Sequence, residues 1–411
     1  MARAMTYAMD DAGALRAVGF FKEIGRHLPR PEQRGSFATY AYGLLAEGER
    51  KSVEPMAARA TGEPEETCRL HDRLLHFVRE SPWNDRAVRG EAARYVVDVL
   101  RERETVDTWI IDDTGMLKQG KHSPGVQRQY TGSAGKIANC QIGVSLSVAT
   151  RTEQVPIDFE LYLPESWTGD PARRRRARIP EAIAFKTKTE LALDMISRAV
   201  DAGIPGEVVL ADAFYGRSHV FRDTVRVLGF DYAVAVDGDT RVWRLDARGH
   251  RQTDAITVKQ LGLDAARGAF RRVTWRDGTK GKLGSRFLFR RVKVAHDDGT
   301  EPAAREALWL VIEWEDGHRQ PTKYFVTTLR ERMSKKQIVR IIKERWKTER
   351  VYQELKGELG FDHYEGRSFI GWHHHVSVAL CCYAFVVAER VRAFPPSQGG
   401  PSRDRSDVLA A

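Results

Sequence analysis

The sequence predicts an α/β protein with a mixed-sheet core, a helical region before it and a β-rich insertion within it. Three observations carry that prediction. Apolar residues in the first hundred positions recur every three or four residues, which is the helical period. From Thr108 short apolar runs alternate with amphipathic helical segments, as in a sheet covered by helices. From about Thr240 to Thr327 short strands divided by Asp-Gly turns take over, before a final helical stretch.

The helices of the first part are "FATYAYGLLAEGER", "EPMAARAT", "ETCRLHDRLLHFVRES" and "GEAARYVVDVLRERE", separated by breaks that contain proline and glycine. The core strands are "TWIIDDT", "IANCQIGVSLSVAT", "VPIDFELYLPES", "GEVVLADAFYG" and "DYAVAVDGDT". "TKTELALDMISRAVDAG" and "SHVFRDTVRVLG" supply helices between or after them. Inside the insertion, "RFLFRRVKVAH", "EALWLVIEWE" and "TKYFVTT" read as strands. Ser334 with Gln337 forms a capping box and Gly360 is a stop signal, so one long helix is expected between them. This gives an N-terminal helical domain over 1–105, a core built from 106–239 and 328–394, an insertion over 240–327, and a tail over 395–411. The tail is rich in proline, serine and aspartate and is expected to be disordered.

Lys and Arg number 66 against 56 Asp and Glu, a formal charge of +10, which suits a nucleic-acid or other anionic partner. Cys68, Cys140, Cys381 and Cys382 include no spaced CxxC, so neither a disulfide framework nor a zinc ribbon is suggested. No apolar run reaches the roughly 18 residues of a membrane span, and Met1 to Phe20 lacks the apolar core of a signal peptide. A soluble, cytoplasmic protein is expected.

Two apolar strands run into acids: "TWIIDDT" into Asp112 and Asp113, and "GEVVLADAFYG" into Asp212. An ionised carboxylate is costly to bury without a partner, and ligands of open α/β sheets collect at the carboxyl ends of strands. Each aspartate could instead simply cap the turn that follows it. Glu349 lies on the long helix, with Arg345, Tyr352 and Lys356 spaced to share one face with it. A set of carboxylates without cysteine or histidine suits Mg²⁺ or Mn²⁺ rather than zinc. Two such ions about 3.5–4 Å apart serve in-line displacement at phosphorus, the chemistry of nucleases and phosphoryl transfer.

The stretches "IDDTG" with "QYTGSAGKIANCQ", "LADAFYG" and "RWKTERVYQELKGELGFDHYEGRS" resemble the DDE transposases of bacterial insertion sequences, in the branch with a Tyr, Arg, Glu, Lys signature. The resemblance implies a ribonuclease-H-like catalytic core with a β insertion before the glutamate. It implies Asp113, Asp212 and Glu349 as catalytic and metal-holding acids, because the family's first acid directly precedes threonine, here Thr114. Asp112 then points to the opposite face of the strand. Arg345 and Lys356 correspond to signature residues that contact DNA phosphates, whereas Ile342 stands where the signature has tyrosine. The implied activity is cleavage at element ends and 3′-hydroxyl strand transfer with two Mg²⁺ or Mn²⁺ ions. The implied partners are terminal inverted repeats, target DNA and a second copy of the chain. A nuclease without strand transfer, or a non-catalytic DNA-binding protein, is the alternative.

Lys118, Lys121, His122, Arg128 and Lys136 follow the first acids and could hold the phosphodiester backbone, which positions DNA without reading it. The run "ARRRRAR", with Arg174 and Arg175, is a second electrostatic candidate. Arg26, Arg30 and Arg34 are candidates for backbone contacts from the N-terminal helices. Trp243, Trp275, Trp309 and Trp314 of the insertion could stack on an unpaired base, although core packing explains them as well. The consecutive histidines of "GWHHHVSVALCCYAF" point about 100° apart on a helix and cannot share one metal.

Overall fold

The computed structural model describes residues 10–246, 248–252, 254–278, 281–295 and 306–393. The tail over 395–411 lies outside the described residues. The chain starts with α1 (Asp11–Gly25), α2 (Pro31–Leu45), α3 (Val53–Ala60), α4 (Pro64–Arg79) and α5 (Asp85–Arg101). The core follows as β1 (Thr108–Leu117), β2 (Gln127–Thr131), β3 (Lys136–Ala149), β4 (Gln154–Leu161), α6 (Glu165–Thr168), α7 (Pro171–Ala177), α8 (Lys188–Asp201), β5 (Val208–Ala211), α9 (Ala213–Gly216), α10 (His219–Val227) and β6 (Asp231–Val236). The insertion holds β7 (Arg241–Arg244), β8 (Ile256–Thr257), α11 (Val258–Asp264), β9 (Arg271–Gly278), β10 (Gly281–Val294), β11 (Leu308–Trp314) and β12 (Lys323–Thr327). The chain continues through α12 (Lys335–Lys343), α13 (Lys347–Leu359) and α14 (Phe369–Ala393).

The strands form one mixed sheet in the order β2-β3-β1-β5-β6-β12-β11-β10-β7-β8, with β4 on β3 and β9 on β10. Strands β1, β5 and β6 are mutually parallel, and β12 joins β6 antiparallel through Tyr324↔Val236. The insertion strands therefore extend the core sheet itself. Alternation along β1 and β5 feeds two cores. Ile110, Val208 and Leu210 pack with Ile338, Ile341 and Ile342 of α12 on one face. Trp109, Ile111, Val209 and Ala211 face the larger core on the other. This mixed α/β architecture, with N-terminal helices, is consistent with a ribonuclease-H-like core.

The N-terminal helices share that larger core with α14. Phe20 of α1 meets Phe385 at 5.4 Å between ring centroids, and Tyr40 of α2 bonds His375 at 2.8 Å. A buried ionic network ties the same layers. The Arg89 guanidinium, 2% exposed, donates to Asp158 at 2.8 Å, Ser377 at 3.0 Å and Glu160 at 3.3 Å, and also pairs with Asp85. Arg198 joins the same acids at 2.7 and 2.8 Å. Such buried charges persist only when every member is paired.

The long helix expected from Ser334 to Gly360 is broken. Both ends are as expected: Ser334 and Gln337 form the capping box, and Gly360 adopts φ 59° beyond the last turn. A 3₁₀ turn, Glu344–Trp346, separates α12 from α13. Three basic residues around it are fixed to β11, to β1 and to the loop that follows β3. Lys343 pairs with fully buried Glu313 of β11 at 2.5 Å, Arg345 pairs with Asp112 of β1, and Lys347 bonds the carbonyl of Thr150. A regular helix would place residues two apart on nearly opposite sides, and the tighter turn resets the phase.

The three histidines of α14 diverge, as helical geometry requires. His373 meets Glu160 at 3.3 Å, His374 meets the carbonyl of Val78 at 2.9 Å, and His375 meets that of Gly360 at 3.1 Å. Cys381 and Cys382 are buried free thiols, and burial raises both thiol pKa values. No described helix is long and apolar enough to cross a membrane.

Candidate active site

β1 does not stop at its aspartates. It stays paired with β3 as far as Leu117↔Cys140, but its parallel pairing with β5 ends at Ile110↔Leu210. The sheet therefore opens on one side of β1 just where the acids lie. Two residues beyond the last pair come Asp112 on one strand and Asp212 beyond the end of the other. The acids lie close enough that the charges of Asp212 and Asp113 both act on Asp112.

Asp112 receives a hydrogen bond from the Asp113 amide at 2.8 Å and pairs with the Arg345 Nη2 at 2.6 Å. Burial raises its carboxyl pKa, with Arg345 opposing and the charges of Asp212 and Asp113 adding to the rise. Burial pulls the Arg345 guanidinium down, yet Asp112 and Asp212 outweigh it and leave its pKa raised. The Arg345 Nε is buried and has no hydrogen-bond partner among the described residues. Tyr352, one turn beyond Glu349, hydrogen-bonds the Ser145 hydroxyl at 2.6 Å, and burial followed by the charge of Asp112 pushes its phenol well up.

Asp113 points the other way, as expected of its neighbour on a strand. Its partners are Lys188 at the start of α8, 2.7 Å away, and the Tyr215 hydroxyl at 3.4 Å. Asp112 thus meets Arg345, while Asp113 and Asp212 share Tyr215, whose hydroxyl bonds the first and whose amide bonds the second. Asp212 does cap α9, accepting from the amides of Phe214 at 2.9 Å and Tyr215 at 3.3 Å. The capping reading of Asp212 therefore holds. Gly216 closes that turn because a Cβ there would lie 1.9 Å from the carbonyl oxygen of Ala235.

Glu349 stands exposed in the first turn of α13, with no hydrogen bond or ion pair among the described residues. No three acidic, histidine or cysteine groups among the described residues come together as a metal cage. The donor set nevertheless fits a hard cation. It consists of carboxylate oxygens, and the carboxyl of Asp112 is destabilised as an anion by burial and by two neighbouring acids, a condition that positive charge relieves.

Several basic residues are placed differently from expectation. Lys356 donates to the carbonyl of Gly115 at 2.7 Å and to Ser133 at 3.1 Å, so it joins α13 to β1 and the β2–β3 turn. Lys118 is engaged by the carbonyls of Asp362 and Tyr364 at 3.1 and 2.7 Å, and burial lowers its pKa. Arg174 closes its own loop on the carbonyls of Pro180 and Ile183 at 2.7 and 2.8 Å. The arginine run is the short helix α7, capped by Asp170, rather than a loose tail. Lys121, His122, Arg128, Lys136 and Arg175 are exposed. Arg26 pairs with Glu23, Arg34 bonds the carbonyl of Leu28, and Arg30 caps α2.

Ile342 is buried against the sheet with Ile338 and Ile341, so the position of the signature tyrosine serves packing. Lys188, Tyr215 and Tyr352 complete the acid neighbourhood. Only the spacing of Tyr352 on the helix signalled any of them. The insertion tryptophans are half-buried, and the exposed indole is Trp346, 42% exposed and stacked under the Arg276 guanidinium at 3.4 Å.

The mixed sheet thus opens beside β1 and gathers acids from two parallel strands, next to an arginine of the 3₁₀ turn and a glutamate of α13. The chain matches the DDE superfamily endonuclease family over residues 23–282, and it belongs to that family. It also matches the transposase DDE domain family over residues 184–385. It is similar to a probable transposase for insertion sequence element IS701 from Microchaete diplosiphon, with 29% identity over 205 residues. That similarity covers 49% of each chain, so this chain spans about half the length of that relative.

Proposed function

We propose that this chain is a DNA transposase, cutting at the ends of an insertion sequence and joining the freed 3′-hydroxyl to target DNA. The observation that carries the reading is the gathering of acids where β1 and β5 part, with Arg345 on Asp112 and Tyr215 bonded to both Asp113 and Asp212. Asp212 and Glu349 remain two of the acids. The third is Asp113, the acid directly before Thr114; it pairs with Lys188, and Asp112 is held beside it by Arg345. Two Mg²⁺ or Mn²⁺ ions, held by these carboxylates, would supply charge neutralisation at the phosphate and polarisation of the attacking oxygen.

The chain's own residues do the positioning. Arg345 holds the Asp112 carboxylate in place and keeps one unpaired N–H for a substrate oxygen. Lys356 fixes the turn next to the acids. The exposed Lys121, Arg128, Lys136 and Arg175 are free to take backbone phosphates, whereas Lys118 and Arg174 are committed to carbonyls. Water attacks in the cutting step and the 3′-hydroxyl in the joining step, each in line with the leaving oxygen. Two ends must be handled together, which calls for two copies of the chain.

The test is Mg²⁺- or Mn²⁺-dependent cleavage and joining of a labelled duplex carrying the ends of the flanking element, for wild type and Glu349→Gln. The expected result is joining by wild type and none by a folded, DNA-binding Glu349→Gln protein. Cleavage without joining would make the chain a nuclease, and activity untouched by the substitution would remove Glu349 from the site.

A further inference from the structure

The hairpin of β2 and the first residues of β3 projects an apolar pair from a basic edge. Tyr130 and Ile137 are direct cross-strand partners, 66% and 60% exposed, on the same face of the ribbon as Arg128. From Lys118 to Asn139 the chain carries Lys118, Lys121, Arg128 and Lys136 and no acidic residue. An exposed aromatic and a β-branched residue side by side on an edge strand invite unwanted pairing unless that face has a use.

The hairpin is held rigidly to the acid site. Its turn residue Ser133 contacts the Thr114 hydroxyl at 3.2 Å, donates to the carbonyl of Gly115 at 3.1 Å and accepts from Lys356 at 3.1 Å. Gly115 lets the turn end of the hairpin press onto β1, since a Cβ there would lie 1.9 Å from the Thr131 hydroxyl. The apolar pair therefore keeps a fixed distance from the strand that bears Asp112 and Asp113.

We propose that Tyr130 and Ile137 form a wedge that enters a base step of duplex DNA next to the cut phosphate and unstacks it. This rests on the DNA-cleaving reading above. Apolar side chains set among cations are the device by which proteins open and kink a duplex, and aromatic faces stack on the exposed base. The surrounding charge selects DNA over a second copy of the chain, because two hairpins of the same positive sign repel each other. Arg128 and Lys136 hold the phosphates on either side of the opened step.

The test uses a duplex of the element end with 2-aminopurine at the steps flanking the cut, the full-length protein, and the double variant Tyr130→Ser with Ile137→Ser. Both positions are exposed, so folding should be unaffected, and a matching circular-dichroism melt checks this. The wild type should raise 2-aminopurine fluorescence. The variant should lose that rise and cleave at least about tenfold more slowly. A duplex carrying mismatches at the same steps, already open, should restore its rate. Equal fluorescence and equal rates for wild type and variant on paired DNA would overturn the wedge while leaving the cleavage reading intact. A variant changed only in its concentration-dependent sedimentation would assign the face to a contact between copies and overturn the wedge. Absence of binding and cleavage on every duplex would overturn both readings.

Discussion

Acidification below pH 6.5 should loosen the attachment of the N-terminal helices through two buried histidines. His374 and His375 are each 1% exposed. His375 accepts or donates between the Tyr40 hydroxyl on α2 and the carbonyl of Gly360, the residue that ends the Glu349 helix. Burial lowers both imidazoles from 6.5 to about 4, with backbone carbonyls opposing the shift. Their folded-state pKa values therefore lie below the unfolded ones. The unfolded chain binds more protons across this interval, so the contribution is complete above pH 6.5 and is lost as pH falls towards 4. At 1.36 kcal/mol per unit, each histidine removes about 2 kcal/mol of stability by pH 5 and about 3 kcal/mol by pH 4. A domain with roughly 5–15 kcal/mol to lose should register that clearly. Urea unfolding at pH 7.5, 6.0 and 5.0 gives the slope, and the fall should precede that of Glu160, whose pKa His373 and the neighbouring arginines lower against the effect of burial. His375→Gln should reduce the slope by about half, because glutamine does not titrate. Stability that stays flat from pH 7.5 to 5.0, or a slope that the substitution leaves unchanged, would refute the assignment.

Arg89→Met keeps the apolar stem but strips the cation from Asp158 and Glu160, which still retain Arg198. Breaking such a buried pair should cost about 3–5 kcal/mol in urea unfolding with an unchanged m-value, and a loss under about 1 kcal/mol would show that the remaining cations suffice. Asp112→Asn and Asp113→Asn separate the two strand acids. With DNA binding retained, Asp113→Asn should lose more than about 100-fold in cleavage, whereas Asp112→Asn, which loosens Arg345, should lose about 10- to 100-fold. The reverse ranking in a single-turnover cleavage assay would make Asp112 the first acid.

The sequence alone determined the class of fold. Period changes at Thr108 and near Thr240 mark the helical, mixed and β-rich stretches because burial on one face imposes a period of 3.6 or 2 on the apolar residues. It also determined both ends of the Ser334–Gly360 region, since capping boxes and left-handed glycines act through residues three or four apart. The acid-bearing strands were legible for the same local reason. Which acid faces which was not. Alternation says that Asp112 and Asp113 oppose each other, but only the packing of distant elements decides that Asp112 meets Arg345 and Asp113 meets Lys188. The 3₁₀ break was equally hidden, because it answers to Glu313, Asp112 and Thr150, three partners far away in the chain. Lys118 and Arg174 look like free cations in sequence and turn out to be bound to carbonyls of loops that only folding brings near. A charge's partner is a matter of long-range geometry, and that the tertiary structure alone supplies.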